Sequence, residues 1–176
     1  WDITIIDKES NHLYQPGFLF IPFGYYKRSD IVKPTQKFIA AGINAVYKEI
    51  DRITASENKV SLTDGTSFDY DILIIATGTR LCPEDTPGLK GELWQKNVFD
   101  FYTLEGSEAL AGFFKTWSGE NLVINIADNP IKCPVAPLEF AFYADDFFTK
   151  KGMREKVNIT YVTPMSGAFT KPKASK

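Results

Sequence analysis

The sequence predicts an α/β fold: parallel sheets with helices, and a small antiparallel β-meander in the first domain. Three observations carry this. Ile3-Thr4-Ile5-Ile6 is a β-branched run that closes on the acid Asp7. Residues 122–127 and 157–162 are two further apolar or β-branched runs, separated by one helical pattern. Asp64-Gly65 stands between short alternating runs, a hairpin signal. Strand, helix, strand is a crossover unit with parallel strands. A strand ending in a carboxylate matches the second strand of a dinucleotide-binding unit, where the acid accepts hydrogen bonds from a ribose. The expected architecture is therefore Rossmann-like, although an ordinary buried strand ended by a solvated Asp fits Asp7 equally well.

Composition bounds the alternatives. With 176 residues, 44% hydrophobic and 14% aromatic, the chain can bury a real core of one large domain or parts of two. Twenty basic against 22 acidic side chains leave no broad basic face for nucleic acid. No apolar stretch approaches the ~20 residues of a membrane helix, so a soluble piece is expected. Cys82, Cys133 and the single His12 lack metal-ligand spacing, and no metal site is predicted.

The elements follow in order. The glycine-rich first strand and turn of a nucleotide unit would lie upstream of Ile3, so the chain reads as a fragment. Residues 11–29, rich in aromatics with two Pro and two Gly, suggest an ordered loop packed on a flat surface. Ile31 to about Ala41 is a candidate short helix. Strands are expected in 44–53 and at 59–62, then a turn at 63–66, then a strand in 67–75. Leu73-Ile74-Ile75 is apolar on consecutive positions, the pattern of a strand buried on both faces, and stops at Ala76-Thr77-Gly78, where small residues allow close approach of a ligand. The Pro- and Gly-rich 81–94 is the candidate crossing between domains, placing them at 1–95 and 96–176. A helix capped by Thr103 then buries Leu110, Phe113, Phe114 and Trp117. A strand at 122–127, a helix from Pro134 to about Thr149 and a strand at 157–162 complete the chain. The tail from Ser166 to Lys176 is expected to fray.

The junction Asn129-Pro130-Ile131-Lys132-Cys133-Pro134 holds no glycine fingerprint, which disfavours soluble nicotinamide as a ligand. Proline suits a first helical turn, so Pro134 at the first helical position would make Cys133 the cap, with Val135, Leu138, Ala141, Phe142 and Phe148 facing the core. A thiol there would sit at the positive end of the helix dipole beside Lys132, and both favour thiolate. Cys133 as a small buried hydrophobe remains the plain alternative.

These residues carry a family resemblance. "ITIIDKE", "YQPGFLF", "DYDILIIATGTR" and above all "IKCPVAPLEFAF" resemble the sulfide:quinone oxidoreductases, members of the two-dinucleotide-domain FAD flavoproteins, over nearly all of residues 1–165. The resemblance implies FAD as cofactor and 1–95 as an incomplete FAD-binding domain. The second Rossmann-like unit, 96–176, would carry the redox cysteine. It further implies oxidation of sulfide at a cysteine pair beside the flavin, with two electrons passed to a membrane quinone. Cys133 matches the sulfide-reactive cysteine; its partner belongs to a C-terminal half that this sequence does not contain.

By the same resemblance Asp7 and Lys8 lie at the adenosine, Ile50 flanks the adenine, Thr77 and Gly78 close over the cofactor, and Gln15, Pro16 and Gly17 pass the flavin. A surface ion pair at Lys8 and a purely structural loop at Gln15 stay open. Cys82 and His12 are read as inert or structural. The implied partners are sulfide and quinone, with peripheral membrane contact at the cytoplasmic face through segments outside this chain, and self-association left open. The rival readings are the flavoprotein subunit of flavocytochrome c sulfide dehydrogenase, a type II NADH dehydrogenase-like flavoprotein, and a non-catalytic flavoprotein relative.

Overall fold

The computed structural model describes residues 1–169, 171, 173 and 175; Thr170, Pro172, Ala174 and Lys176 of the tail expected to fray lie outside the described residues. The chain forms two compact units, one from Trp1–Tyr14 with Arg28–Arg80, the other from Gln15–Lys27 with Leu81–Lys176. The α/β class is borne out: parallel pairs occur in both units, and the first adds antiparallel strands.

In the first unit, β1 (Thr4–Asp7) pairs in parallel with β4 (Asn44–Tyr47), Asp7 opposite Tyr47. β2 (Asn11–Leu13) pairs antiparallel with β3 (Val32–Pro34). The helix expected from Ile31 to about Ala41 is not formed. Helix α1 (Arg28–Ile31) is a single turn, and a 3-10 turn at Thr35–Phe38 follows β3. Pro34 accounts for this break, since a proline disfavours helical backbone in the residue before it and supplies no N–H.

The meander is β5 (Ile50–Thr54), β6 (Lys59–Leu62) and β7 (Ser67–Asp69), all antiparallel. Its Asp-Gly turn is where the sequence places it. Gly65 takes φ +87° and its N–H donates to the Leu62 carbonyl at 3.0 Å. The backbone N–H and hydroxyl of Thr66 both donate to Asp64. Those donors, the hydroxyl foremost, hold the Asp64 carboxyl below the usual range.

The strand expected through Leu73-Ile74-Ile75 is absent. Residues 71–80 take no regular structure, and Ile72, Ile74 and Ile75 are 68%, 83% and 64% exposed. A doubly buried strand needs hydrogen-bonding neighbours and a layer on each face; among the described residues none pairs with this segment.

The second unit holds the larger core. Helix α2 (Leu104–Thr116) starts at the predicted cap: Thr103 Oγ1 accepts from the Gly106 N–H at 3.0 Å. β8 (Glu120–Asn125) and β9 (Val157–Val162) pair in parallel across helix α3 (Ala136–Lys150). Leu110, Phe114, Ile124, Phe140, Ala144, Phe148 and Val157 form one buried cluster, joined by Leu19 and Phe23 of the aromatic loop. The loop is thus ordered by packing on the helices, as its composition predicts.

The buried stripe of α3 differs from the one read in the sequence. Ala136, Pro137, Phe140, Ala144 and Phe148 are buried, while Phe142 is 67% exposed. At 3.6 residues per turn Phe142 lies about 200° round the helix from Phe140, on the far face. No helix among the described residues is long and apolar enough to cross a membrane.

Gly119, just ahead of β8, takes φ +110°, and a Cβ there would fall 2.6 Å from the Lys156 carbonyl oxygen. Gly119→Ala therefore meets a backbone clash and a disfavoured backbone conformation together. It is expected to cost about 3 kcal/mol, read as a lower urea midpoint at unchanged m.

Candidate functional site

Cys133 lies in the loop between β8 and α3, and its thiol is free and exposed. The buried-hydrophobe alternative for this cysteine is therefore excluded. Its place as a helix cap needs correction: α3 begins at Ala136, Val135 occupies the cap, and Pro137 takes the first-turn place expected of Pro134. The cause is local. Cys133 has φ +52°, a left-handed backbone uncommon outside glycine, and its carbonyl accepts the Ala136 N–H at 3.1 Å. Pro134 and Val135 are spent in that tight turn, so the helix starts later and the thiol stands two residues ahead of the cap.

Two side chains tie this loop to the rest of its unit. Lys132 donates its ammonium to Gln15 Oε1, which brings the predicted residue Gln15 beside the cysteine loop. Tyr102 donates its hydroxyl to the Cys133 carbonyl at 3.2 Å. Burial pushes the Tyr102 phenol up, and charge at Cys133, Tyr161 and Glu139 adds to the effect. Tyr102 therefore stays a hydrogen-bond donor throughout the physiological range.

The remaining predicted positions, Cys82 apart, belong to the first unit. Asp7 ends β1 exposed, with one carboxylate oxygen accepting the Glu9 N–H at 2.9 Å. Lys8 follows it, also exposed. Ile50 opens β5, half-buried, opposite Leu62 and next to a register shift. Thr77 and Gly78 are exposed in the irregular segment, Gly78 at φ +73° with open space where a Cβ would stand. His12 lies edge-on to Phe38, ring centroids 5.2 Å apart. Cys82 is half-buried ahead of the 3-10 turn Pro83–Asp85.

No family model matches the chain. Curated proteins do. The mitochondrial sulfide:quinone oxidoreductase of Dictyostelium discoideum is 30% identical over 99% of this chain and 39% of its own length. The protein of the same name from Mus musculus is 24% identical over 96% of this chain and 37% of its own. The crystal structure of the sulfide:quinone oxidoreductase from Aquifex aeolicus superposes with a TM-score of 0.74 at 25% identity, covering 96% of this chain and 39% of that one. The chain is a homologue of the sulfide:quinone oxidoreductases. It spans about two fifths of the length of the sulfide:quinone oxidoreductases it matches.

The sequence reading of the cysteine loop missed one residue that the structure places against it. Tyr102, in "DFYTLEG", reads as a loop residue ahead of a helix cap, and its contact with Cys133 spans 31 residues. Its one local signal is Asp100. That carboxylate accepts the Tyr102 N–H at 3.0 Å and the Thr103 N–H at 2.7 Å, an acid-led turn of the kind Asp favours before a helix.

Proposed function

We propose that the full-length protein is an FAD-dependent oxidoreductase that oxidises sulfide and passes two electrons to a quinone, with Cys133 as the sulfur-reactive thiol. The observation that carries this is an exposed, free thiol held on a left-handed backbone between β8 and α3. It sits in a chain alignable over 99% of its length with a sulfide:quinone oxidoreductase.

The residues of the first unit fit FAD. Asp7 offers an exposed carboxylate at the end of a parallel strand, which suits ribose hydroxyls. Gly78 leaves its backbone open to close approach. Lys8 and Ile50 would hold the adenosine, and Thr77 and Gly78 the remainder. Bound FAD supplies a two-electron relay between the thiol and the quinone.

At Cys133 the chemistry is thiol–disulfide exchange. The sulfur of hydrosulfide bonds to Cys133 as the bond from Cys133 to its partner cysteine breaks, leaving a persulfide and a partner thiolate. That partner is implied by the resemblance and is not assigned to a residue of this chain. Quinone is lipid-borne, so the full-length protein works as a peripheral enzyme at a membrane face, in our reading the cytoplasmic one.

The test is the absorption spectrum of the full-length protein before and after anaerobic sulfide. The flavin band is expected to bleach in the parent and to persist in Cys133→Ala. A parent whose purified form carries no flavin, or whose flavin ignores sulfide, would overturn the proposal.

A further inference from the structure

We propose that Tyr102 is a positioning residue for Cys133, its hydroxyl holding the cysteine backbone in the left-handed conformation that presents the sulfur; this rests on the reading of Cys133 given above. The Cys133 carbonyl takes two hydrogen bonds, from the Tyr102 hydroxyl at 3.2 Å and from the Ala136 N–H at 3.1 Å. A carbonyl has two lone pairs, so both acceptor sites are used and the peptide plane after Cys133 cannot turn freely. The conformation so held is the costly one, φ +52° on a residue with a Cβ. Left to itself a non-glycine residue relaxes out of it.

The clamp is rigid at its other end. The Tyr102 ring stacks on Phe101, centroids 4.9 Å apart, and Phe101 stacks on Phe140 of α3 at 4.6 Å. Phe140 belongs to the buried cluster. The Tyr102 backbone is pinned by Asp100. The phenol therefore refers the cysteine loop to the same helix that the loop leads into, while Lys132 fastens the loop from its other side to Gln15. A side chain's direction is set by its backbone dihedrals, and an error of about 1 Å in a reacting atom costs on the order of 100-fold in rate. Tyr102 thus acts through Cys133 and needs no contact with substrate.

The experiment is Tyr102→Phe in the full-length protein, a change that keeps the stacking ring and removes only the donor. Loss of one such bond is expected to speed amide hydrogen exchange in residues 130–136 by about threefold to tenfold, with the interior amides of α2 and α3 unchanged. The sulfide-dependent kcat should fall by about tenfold with KM little changed. Exchange in 130–136 within about twofold of the parent overturns the positioning role. So does an unaltered kcat alongside an inactive Cys133→Ala. If instead Cys133→Ala keeps full sulfide activity while Tyr102→Phe still loosens the loop, the reading of Cys133 fails and the clamp stands as a structural feature alone.

Discussion

Cys133→Ala in the full-length protein is expected to lower sulfide-dependent quinone reduction by on the order of a thousandfold, with the flavin content and thermal midpoint unchanged. A sulfur at which bonds are made and broken cannot be replaced by its neighbours, and removal of such a group costs roughly 10³-fold or more. In free-energy terms that is about 4 kcal/mol of transition-state stabilisation. The fold should not register the change, because the side chain is exposed and makes no buried contact to lose. The control is Cys82→Ala. Cys82 is half-buried near a 3-10 turn, and its loss is expected to leave the rate unchanged. Steady-state assay with a soluble quinone reads both. A Cys133→Ala enzyme within about tenfold of the parent would remove the thiol from the mechanism.

Phe114→Ala should be the most destabilising single truncation in the second unit, at about 4 kcal/mol. Phe114 has no exposed surface. Its ring meets Phe148 edge-on at 5.3 Å, and Trp117, Phe147 and Phe23 stand within 6.1 Å. The ring is thus where α2, α3 and the aromatic loop meet. Truncation there loses the transfer energy of the ring and leaves a cavity that three packed elements cannot close. Since a whole domain is stable by only about 5–15 kcal/mol, the variant should be half-unfolded under mild denaturant. Phe142→Ala supplies the contrast. It sits on the exposed face of α3, and its expected cost is within about 0.5 kcal/mol. Equal losses in the two variants would mean that the packing around α2 and α3 is not as described.

What was legible from the residues divides along a physical line. Helix α2 was readable because both its signals are local: Thr103 reaches its own third successor, and Leu110, Phe114 and Trp117 recur at helical spacing. The Asp64-Gly65 hairpin is legible for the same reason, since turn geometry is decided within four residues. α3 was legible as a helix but not in its phase. Proline is tolerated in the first turn at either Pro134 or Pro137, and only the left-handed backbone at Cys133 decides between them.

The candidate site shows the same division. Cys133 stood out through its neighbours in the chain, yet whether its thiol would be buried or exposed was undecided by pattern. Tyr102 was invisible, because a hydroxyl that bonds a carbonyl 31 residues away leaves no periodicity to read. The tie from Lys132 to Gln15 spans 117 residues and is equally silent.

By itself the sequence determined the α/β class, the strand–helix–strand unit around residue 133, the meander and the family resemblance. All of these follow from backbone propensity, side-chain period and short motifs. Tertiary structure alone decided three things: that residues 15–27 join the core of the second unit, that Ile72, Ile74 and Ile75 stand exposed, and that a distant phenol holds the cysteine loop. Each depends on which surfaces meet when the chain closes on itself, and an apolar or polar side chain carries no record of its eventual partner.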